Sequence, residues 1–302
     1  MTVAVLTVLA FLSWFFYYAL DYGSTETSVR HEKEVEDKVD QEGPAFTASV
    51  REDSPPDAGG IIMDRPLTRQ ERKELTSLNM RDEGDVKRYQ GLYKELVKTH
   101  DAKVMNWPSD DSDKGLSRVW LIDLFSDRAA SLSIVGMRAK DLKCKPASAK
   151  AAMLFIPQGA GIYEGMLFDL SKNTPPTITN EDDEHYGDPY FNYKKIDLGN
   201  GATPGGLRVE VNSGTKDCDW VFEVEYRDAR GTHKQEIMNR GKRFTVDGIP
   251  ENLEQKFTLA SAPDHFVDCD GKWDSFECGQ PGRDEQTSAT PRPTVQAMAW
   301  PQ

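Results

Sequence analysis

The clearest pattern along the chain is an uninterrupted apolar run at its start, followed by polar sequence. Residues 3–20 carry no charged side chain. Five aromatic residues crowd the second half of the run: Trp14, Phe15, Phe16, Tyr17 and Tyr18. As an α-helix the run would be roughly 27 Å long, close to the thickness of a bilayer core, and aromatic rings suit the lipid–water interface. The pattern predicts a transmembrane anchor over residues 1–22.

A cleaved signal peptide is the main alternative to an anchor. Signal peptides have a basic start, a shorter apolar core and a small-x-small cleavage site. This chain starts with Met1 and Thr2 and leaves the apolar run at Asp21, so we favour an anchor. The positive charges that follow, such as Arg30, weakly place the remainder in the cytoplasm, although this rule loses force before a long domain.

Residues 23–66 have the composition of a linker. They are rich in Glu, Asp, Ser, Thr, Pro and Gly, with a cluster of helix- and strand-breaking residues at 54–60. Large apolar side chains are scarce before Ile61, so little burial offsets the entropy of ordering. We predict a disordered acidic tether.

Residues 67–115 show helical spacing. Thr68 and Glu71 have the spacing of a capping box, which marks a helix start. After Gly84, apolar residues such as Tyr89 and Tyr93 recur on one helical face. The stripe is too short for a coiled coil, so we predict helices that pack on the following domain.

From about residue 117 the apolar period changes to two, which is typical of β-strands. One strand alternates most clearly, with these residues on one face: Trp220, Phe222, Val224 and Tyr226. Turns at residues 228–231 and 239–241 then predict a three-stranded meander. Roughly nine or ten short strands without intervening helices indicate a mainly β domain, an antiparallel β-sandwich of the Ig-like or jelly-roll-like kind, over residues 116–260.

The four cysteines suggest disulfide bonds. Cys269 and Cys278 enclose eight residues and form a natural local loop within a polar, otherwise mostly disordered tail, residues 261–302. Cys144 and Cys218 then pair by default, and such bonds require an oxidising compartment. Four free thiols in a cytosolic protein are the alternative. No Cys-x-x-Cys spacing supports a zinc site.

The charge balance restricts the partners. The chain has 37 basic and 50 acidic residues, for a net charge of −13. An acidic surface repels nucleic acids and anionic lipid headgroups, so we expect neither as a partner. The densest basic run, residues 138–145, alternates in the way typical of the solvated face of a strand, which we favour over a phosphate site.

Motifs for catalysis or cofactor binding are weak. Ser213 and Lys216 have the Ser-x-x-Lys spacing of penicillin-binding enzymes, but they lie between strands and the companion motifs are absent. Glycines at 159–165 suggest a phosphate loop, but a strand follows instead of a helix, so we predict a hairpin turn. A Ser-His-Asp site is an alternative that the sequence leaves open, but no motif marks its serine. We predict no catalytic residue and no cofactor.

A long polar excursion, residues 171–193, interrupts the strands. Such loops often carry function, and aromatic side chains often anchor interfaces. The candidate interaction residues are Tyr186, Tyr190, Phe191 and Tyr193. Acidic residues at 181–184 and 268–277 supply oxygen atoms for calcium, but neither group has the spacing of a calcium loop, so we predict no metal site.

The β region also resembles a known family. The segments that carry the resemblance are 132–138 leading to Cys144, then 157–161, 166–170, 189–191, 196–198, 218–220 and 241–244. Over roughly residues 115–250 the chain is similar to an uncharacterised actinobacterial family of membrane-anchored proteins with a C-terminal all-β domain. The resemblance implies an outward-facing domain and transfers no activity.

These observations lead to one preferred function and two alternatives. We expect a membrane-anchored, extracytoplasmic binding or structural module at the cell envelope, held by its N-terminal helix and contacting an envelope protein. An envelope hydrolase with an unrecognised site is one alternative. A membrane protein whose domain lies in the cytoplasm is the other.

Overall fold

The computed structural model describes residues 43–53, 59–107, 116–155, 165–172, 174–203, 205–259 and 264–269. The predicted anchor, the first half of the predicted linker and most of the tail therefore lie outside the described residues. No helix within these ranges is both long and apolar enough to cross a bilayer.

The described chain contains fifteen strands and three helices. The first eight strands are β1 Thr47–Asp53, β2 Gly60–Met63, β3 Lys103–Met105, β4 Arg118–Phe125, β5 Leu132–Pro146, β6 Ala151–Leu154, β7 Met166–Asp169 and β8 Thr177–Ile178. The others are β9 Ile196–Leu198, β10 Gly205–Asn212, β11 Lys216–Asp228, β12 Gly231–Ile237, β13 Phe244–Val246, β14 Gln255–Leu259 and β15 Phe266–Cys269. The helices are α1 Arg69–Ser77, α2 Glu83–His100 and α3 Tyr190–Tyr193.

The strands form three sheets. Sheet I has the order β1-β4-β10-β7-β8, and sheet III has the order β15-β14-β6-β2-β3. Sheet II has the order β12-β11-β5-β9, with β13 also paired to β11. The prediction of a mainly β chain with antiparallel sheets is confirmed. Two pairs, β10 with β7 and β14 with β6, are parallel, which a purely antiparallel architecture does not contain.

Sheets I and II share a first hydrophobic core, which is centred on aromatic side chains. Trp120 of sheet I lies edge-on to Trp220 and Phe244 of sheet II, with ring centroids 5.7 and 5.5 Å apart. Phe168 meets Phe222 across the same space at 4.9 Å. The predicted inward face of β11 is confirmed, because its alternate residues are buried here.

Sheet III borders two cores. Ile62, Ala152 and Leu154 belong to the first core. Their neighbours Ile61 and Met153 belong to a second core, under α1 and α2. Because successive side chains in a strand point to opposite faces, apolar residues at consecutive positions bury both faces of a sheet.

The disordered linker predicted over residues 23–66 is wrong at β1 and β2. All four residues of β2 are buried, so a short apolar run after the breaker cluster suffices for a central strand. β1 pairs with β4 along seven residues. β15 likewise lies in the tail that was predicted to be mostly disordered.

The helical region 67–115 contains α1 and α2, and it also contributes β3 to sheet III. The predicted capping box is confirmed. Glu71 N donates to Thr68 Oγ1 over 3.3 Å, and Thr68 N donates to Glu71 Oε2 over 2.7 Å. Leu75 and Leu96 place the buried faces of the two helices in the second core.

Two predicted connections are wrong. The hairpin predicted at residues 159–165 would pair β6 with β7, but these strands belong to sheets III and I. The predicted meander would pair β12 with β13, but both pair with β11, opposite Phe222–Asp228 and Cys218–Trp220 respectively. Since β5 occupies the other edge of β11, β12 and β13 follow one another along a single edge.

Candidate functional site

The excursion after β7 closes on itself through backbone hydrogen bonds. Gly187 N donates to Ile178 O over 3.0 Å, and Ile178 N donates to Asp188 O over 3.0 Å. Tyr190 N donates to Pro176 O over 2.8 Å. We call residues 179–194 the aromatic loop. Its two ends are held against β8, so it is an ordered projection at the edge of sheet I.

Asp183 fixes the interior of the aromatic loop. One carboxylate oxygen accepts from His185 N over 3.0 Å, and the other binds Lys194 Nζ. The hydrogen bond from Lys194, with the one from His185 N, lowers the pKa of Asp183 below its ordinary range. The carboxylate therefore joins the start of the loop to its end.

The four predicted interaction residues divide into two pairs. Tyr190 and Phe191 are partly buried and pack against the first core through the single turn of α3. Tyr186 and Tyr193 are 39% and 52% exposed. The inner pair holds the loop on the scaffold, and the outer pair is partly exposed to solvent.

His185 extends the exposed aromatic surface. Its ring stacks on Tyr193 with centroids 3.6 Å apart and planes 11° apart. The carboxylates of Glu184 and Asp188 lie 3.5 and 3.6 Å from its two nitrogens. His185 was not among the predicted interaction residues. The contact depends on a reversal of the chain at Gly187, where φ is +80°, and spacing along the sequence does not reveal it.

The rim of the aromatic loop is acidic. Glu181, Asp182 and Glu184 are exposed, and no lysine or arginine occurs between Glu181 and Tyr193. Among the residues that the structure describes, no group of three or more His, Cys, Asp or Glu side chains is arranged to hold a metal ion.

A hydroxyl, an imidazole and a carboxylate meet at the helices, which bears on the hydrolase alternative. Thr99 Oγ1 is 2.6 Å from His100 Nδ1, and His100 Nε2 is 3.4 Å from Glu71 Oε2. Thr99 also donates to Glu95 O over 2.8 Å, as helical threonines commonly do. The trio lies at the C-terminal end of α2, where unpaired carbonyl groups disfavour a developing oxyanion. It links α1 to α2 and does not resemble a nucleophilic site.

The Cys144–Cys218 bond joins directly opposed residues of β5 and β11, with Cα atoms 4.2 Å apart. The predicted pairing of these cysteines is confirmed. Cys269 is disulfide-bonded as well, while Cys278 lies outside the described residues.

Comparison with known proteins adds no relative. No protein-family model, curated protein or solved structure matches this chain.

Proposed function

We propose that this protein is a non-catalytic binding module at the cell envelope, anchored by residues 1–22 with its β domain outside the cytoplasm. A protein partner binds the aromatic loop. The observation that carries the proposal is the exposed surface of Tyr186 and Tyr193, with half-buried His185 stacked on Tyr193. Tyr190 and Phe191 fasten this loop to the core. Rigid aromatic side chains give large contact area at low entropic cost, as binding surfaces require.

Two observations support the extracytoplasmic location. The Cys144–Cys218 bond suits an oxidising compartment. The apolar run at residues 3–20 supplies the anchor. Kinship with the actinobacterial membrane-anchored family and a sandwich of sheets I and II of the Ig-like or jelly-roll-like kind belong to the same proposal.

Site-specific photo-crosslinking in the native cells tests the binding surface. A photoreactive phenylalanine analogue replaces Tyr193 in the full chain, and the matched control replaces Phe125, which is 48% exposed at the end of β4. We expect a discrete protein adduct from position 193 only. An identical set of adducts from both positions, or none from position 193, would contradict the proposal.

Thiol labelling during cell lysis tests the compartment. A maleimide reagent is applied to the full chain under denaturing, non-reducing conditions. We expect Cys144 and Cys218 to stay unmodified until a reductant is added. Labelling of all four cysteines without reductant would place the domain in a reducing compartment.

A further inference from the structure

The acidic chain carries a concentration of positive charge at one end of sheet II. The pairing of β5, β11 and β13 gathers cations from three separate parts of the sequence. We call this group the basic end: Lys143, Lys145, Lys216, Arg240, Lys242 and Arg243. Lys143 and Lys145 lie opposite Asp219 and Asp217, and Pro146 lies opposite Lys216. Residues 240–243 approach β11 from its other edge, just before Phe244 pairs with Trp220.

Few carboxylates balance the basic end. Asp217 is nearly buried and accepts hydrogen bonds from Ser148 N, Ser148 Oγ and Gly248 N. Asp219 binds the guanidinium of Arg243, which also donates to Asp141 O. No carboxylate of the described chain lies within 4.0 Å of the exposed cations Lys143, Lys216, Arg240 and Lys242. Their charge is left for a partner.

Farther along sheet II the cations are neutralised. Glu223 binds Arg138 over 2.8 Å and Lys234 over 3.0 Å, and Lys140 binds Glu236 over 2.7 Å. The hydrogen bond from Lys234, with that from Arg138, lowers the pKa of Glu223. The predicted solvated strand face is confirmed for this half of the basic run, whereas the other half joins the basic end.

Two exposed apolar side chains accompany the cations. Leu142 is 41% exposed beside Lys143, and Met238 is 43% exposed two residues before Arg240. They flank β11 on opposite sides and are separated by about two strand spacings, roughly 10 Å. Cations around exposed apolar groups are the combination that binds a membrane interface.

The described chain starts close to this surface, beside β12. Twenty residues, 23–42, separate the predicted anchor from the described chain. The described chain then joins β12, where Gln235 Oε1 accepts from Ala45 N over 2.7 Å. Gln235 is three residues from Met238, roughly 10 Å along a strand.

The net charge of −13 predicts repulsion from anionic lipid headgroups, but the cations gathered at the basic end reverse this expectation locally. We propose that the basic end docks on anionic lipid headgroups and so orients the domain on the membrane to which it is anchored. The anchoring rests on the proposed function, whereas the charge and apolar surface do not. Ammonium and guanidinium groups contact headgroup phosphates, and Leu142 and Met238 enter the interface. The acidic aromatic loop, repelled by the same surface, stays available to its partner.

Hydrogen exchange of the full chain in lipid nanodiscs tests this docking. Discs of zwitterionic lipid are compared with discs containing anionic lipid. We expect exchange at residues 140–146 and 238–243 to slow by about tenfold in anionic discs only. The difference should vanish near 1 M salt, where charges are screened beyond about 3 Å.

Charge variants make the test specific. The double variant Lys143→Glu with Lys242→Glu should lose the slowing of exchange in anionic discs. The double variant Lys143→Gln with Lys242→Gln should show a slowing between that of the first variant and that of the native chain. The matched control is Lys87→Glu with Lys94→Glu, which changes the same charge at exposed positions of α2 and should leave the protection intact.

Three outcomes would overturn the docking. These are equal protection in both kinds of disc, equal loss in the control variant, and protection by soluble polyglutamate but not by anionic lipid, which would assign the surface to an acidic protein. If the chain inserts into neither kind of disc, the predicted anchor is wrong. The docking is still tested in that case, because anionic vesicles can be added to the chain and hydrogen exchange measured at residues 140–146.

Discussion

At the scale of single residues, two glutamine side chains substitute for missing backbone pairing. Gln235 accepts from Ala45 N over 2.7 Å and donates to Phe46 O over 2.6 Å. Gln255 accepts from Leu67 N over 2.7 Å and donates to Leu67 O over 3.0 Å. Each side-chain amide therefore makes the two hydrogen bonds that a neighbouring strand would make to the backbone. Gln235 does so just before β1, and Gln255 does so just before α1.

Replacing Gln235 with alanine should loosen the entry to β1. The substitution leaves Ala45 N and Phe46 O without partners, at a cost of about 1–3 kcal/mol if they stay buried. We expect faster hydrogen exchange at residues 45–50. Gln255→Ala is the matched control and should affect the chain near Leu67 instead. Unchanged exchange at residues 45–50 would show that the amide does not hold this segment.

The aromatic loop should open at low pH through Asp183. Its folded-state pKa lies below the ordinary value of 3.8 because of the Lys194 hydrogen bond. The stabilisation is therefore complete above the ordinary pKa and is lost as the pH falls through the lowered pKa. Hydrogen exchange of residues 179–194 across a pH series measures this, after correction for the intrinsic rate.

Asp183→Asn provides the control for this pH dependence. The variant keeps an acceptor for His185 N but loses the charge that binds Lys194, so the loop should open at every pH by the same amount. A native loop that opens well above pH 3.8 would assign the transition to another group.

At the scale of elements, the long strand β11 organises sheet II. It pairs with β5 along one edge and with β12 and then β13 along the other. The Cys144–Cys218 bond crosses this pairing near its beginning, between residues 74 positions apart in sequence. The bond therefore closes a long loop of the unfolded chain.

Removal of this disulfide should cost about 4 kcal/mol of unfolding free energy, because a loop of this length loses much entropy when closed. Urea unfolding of the double variant Cys144→Ser with Cys218→Ser measures the loss. The control, Cys269→Ser with Cys278→Ser, opens a predicted loop of only eight residues and should cost less. Equal losses would contradict the loop-length argument.

The pattern of apolar residues predicted the helices and strands more accurately than it predicted which strands pair with one another. Long periodic segments, such as α2 and β11, follow directly from the spacing of their apolar residues. The four residues of β2 are too short to show a period, and a buried apolar run does not indicate its neighbours. The same limit explains the hairpin wrongly predicted between β6 and β7. In the aromatic loop the residues were identified, but the inward turn of Tyr190 and Phe191 depends on α3.

At the scale of the whole molecule, sheet III joins two cores into one structure. Leu154 faces the first core and Met153 faces the second, on one central strand. Damage to either face displaces the same strand. We therefore expect the described domain to unfold as a single cooperative unit.

Leu154→Ala and Met153→Ala should each lower the unfolding free energy by about 2–5 kcal/mol. In both variants, fluorescence of Trp120 and Trp220 and helical circular dichroism should change at one shared denaturant midpoint, since sheet III links the regions that these probes report. Separate midpoints in the Met153 variant alone would show that the helical layer unfolds independently.

The position of β6 in sheet III also determines when the domain can be completed during synthesis. Ala152 lies opposite Ile62 on one edge and opposite Lys256 on the other, so early and late parts of the chain meet at one residue. Such non-local pairing forms slowly, and here it must wait until β14 has left the ribosome. For the extracytoplasmic domain proposed above, this delay keeps the chain open while it is threaded across the membrane, and closure follows once the last strands emerge on the far side.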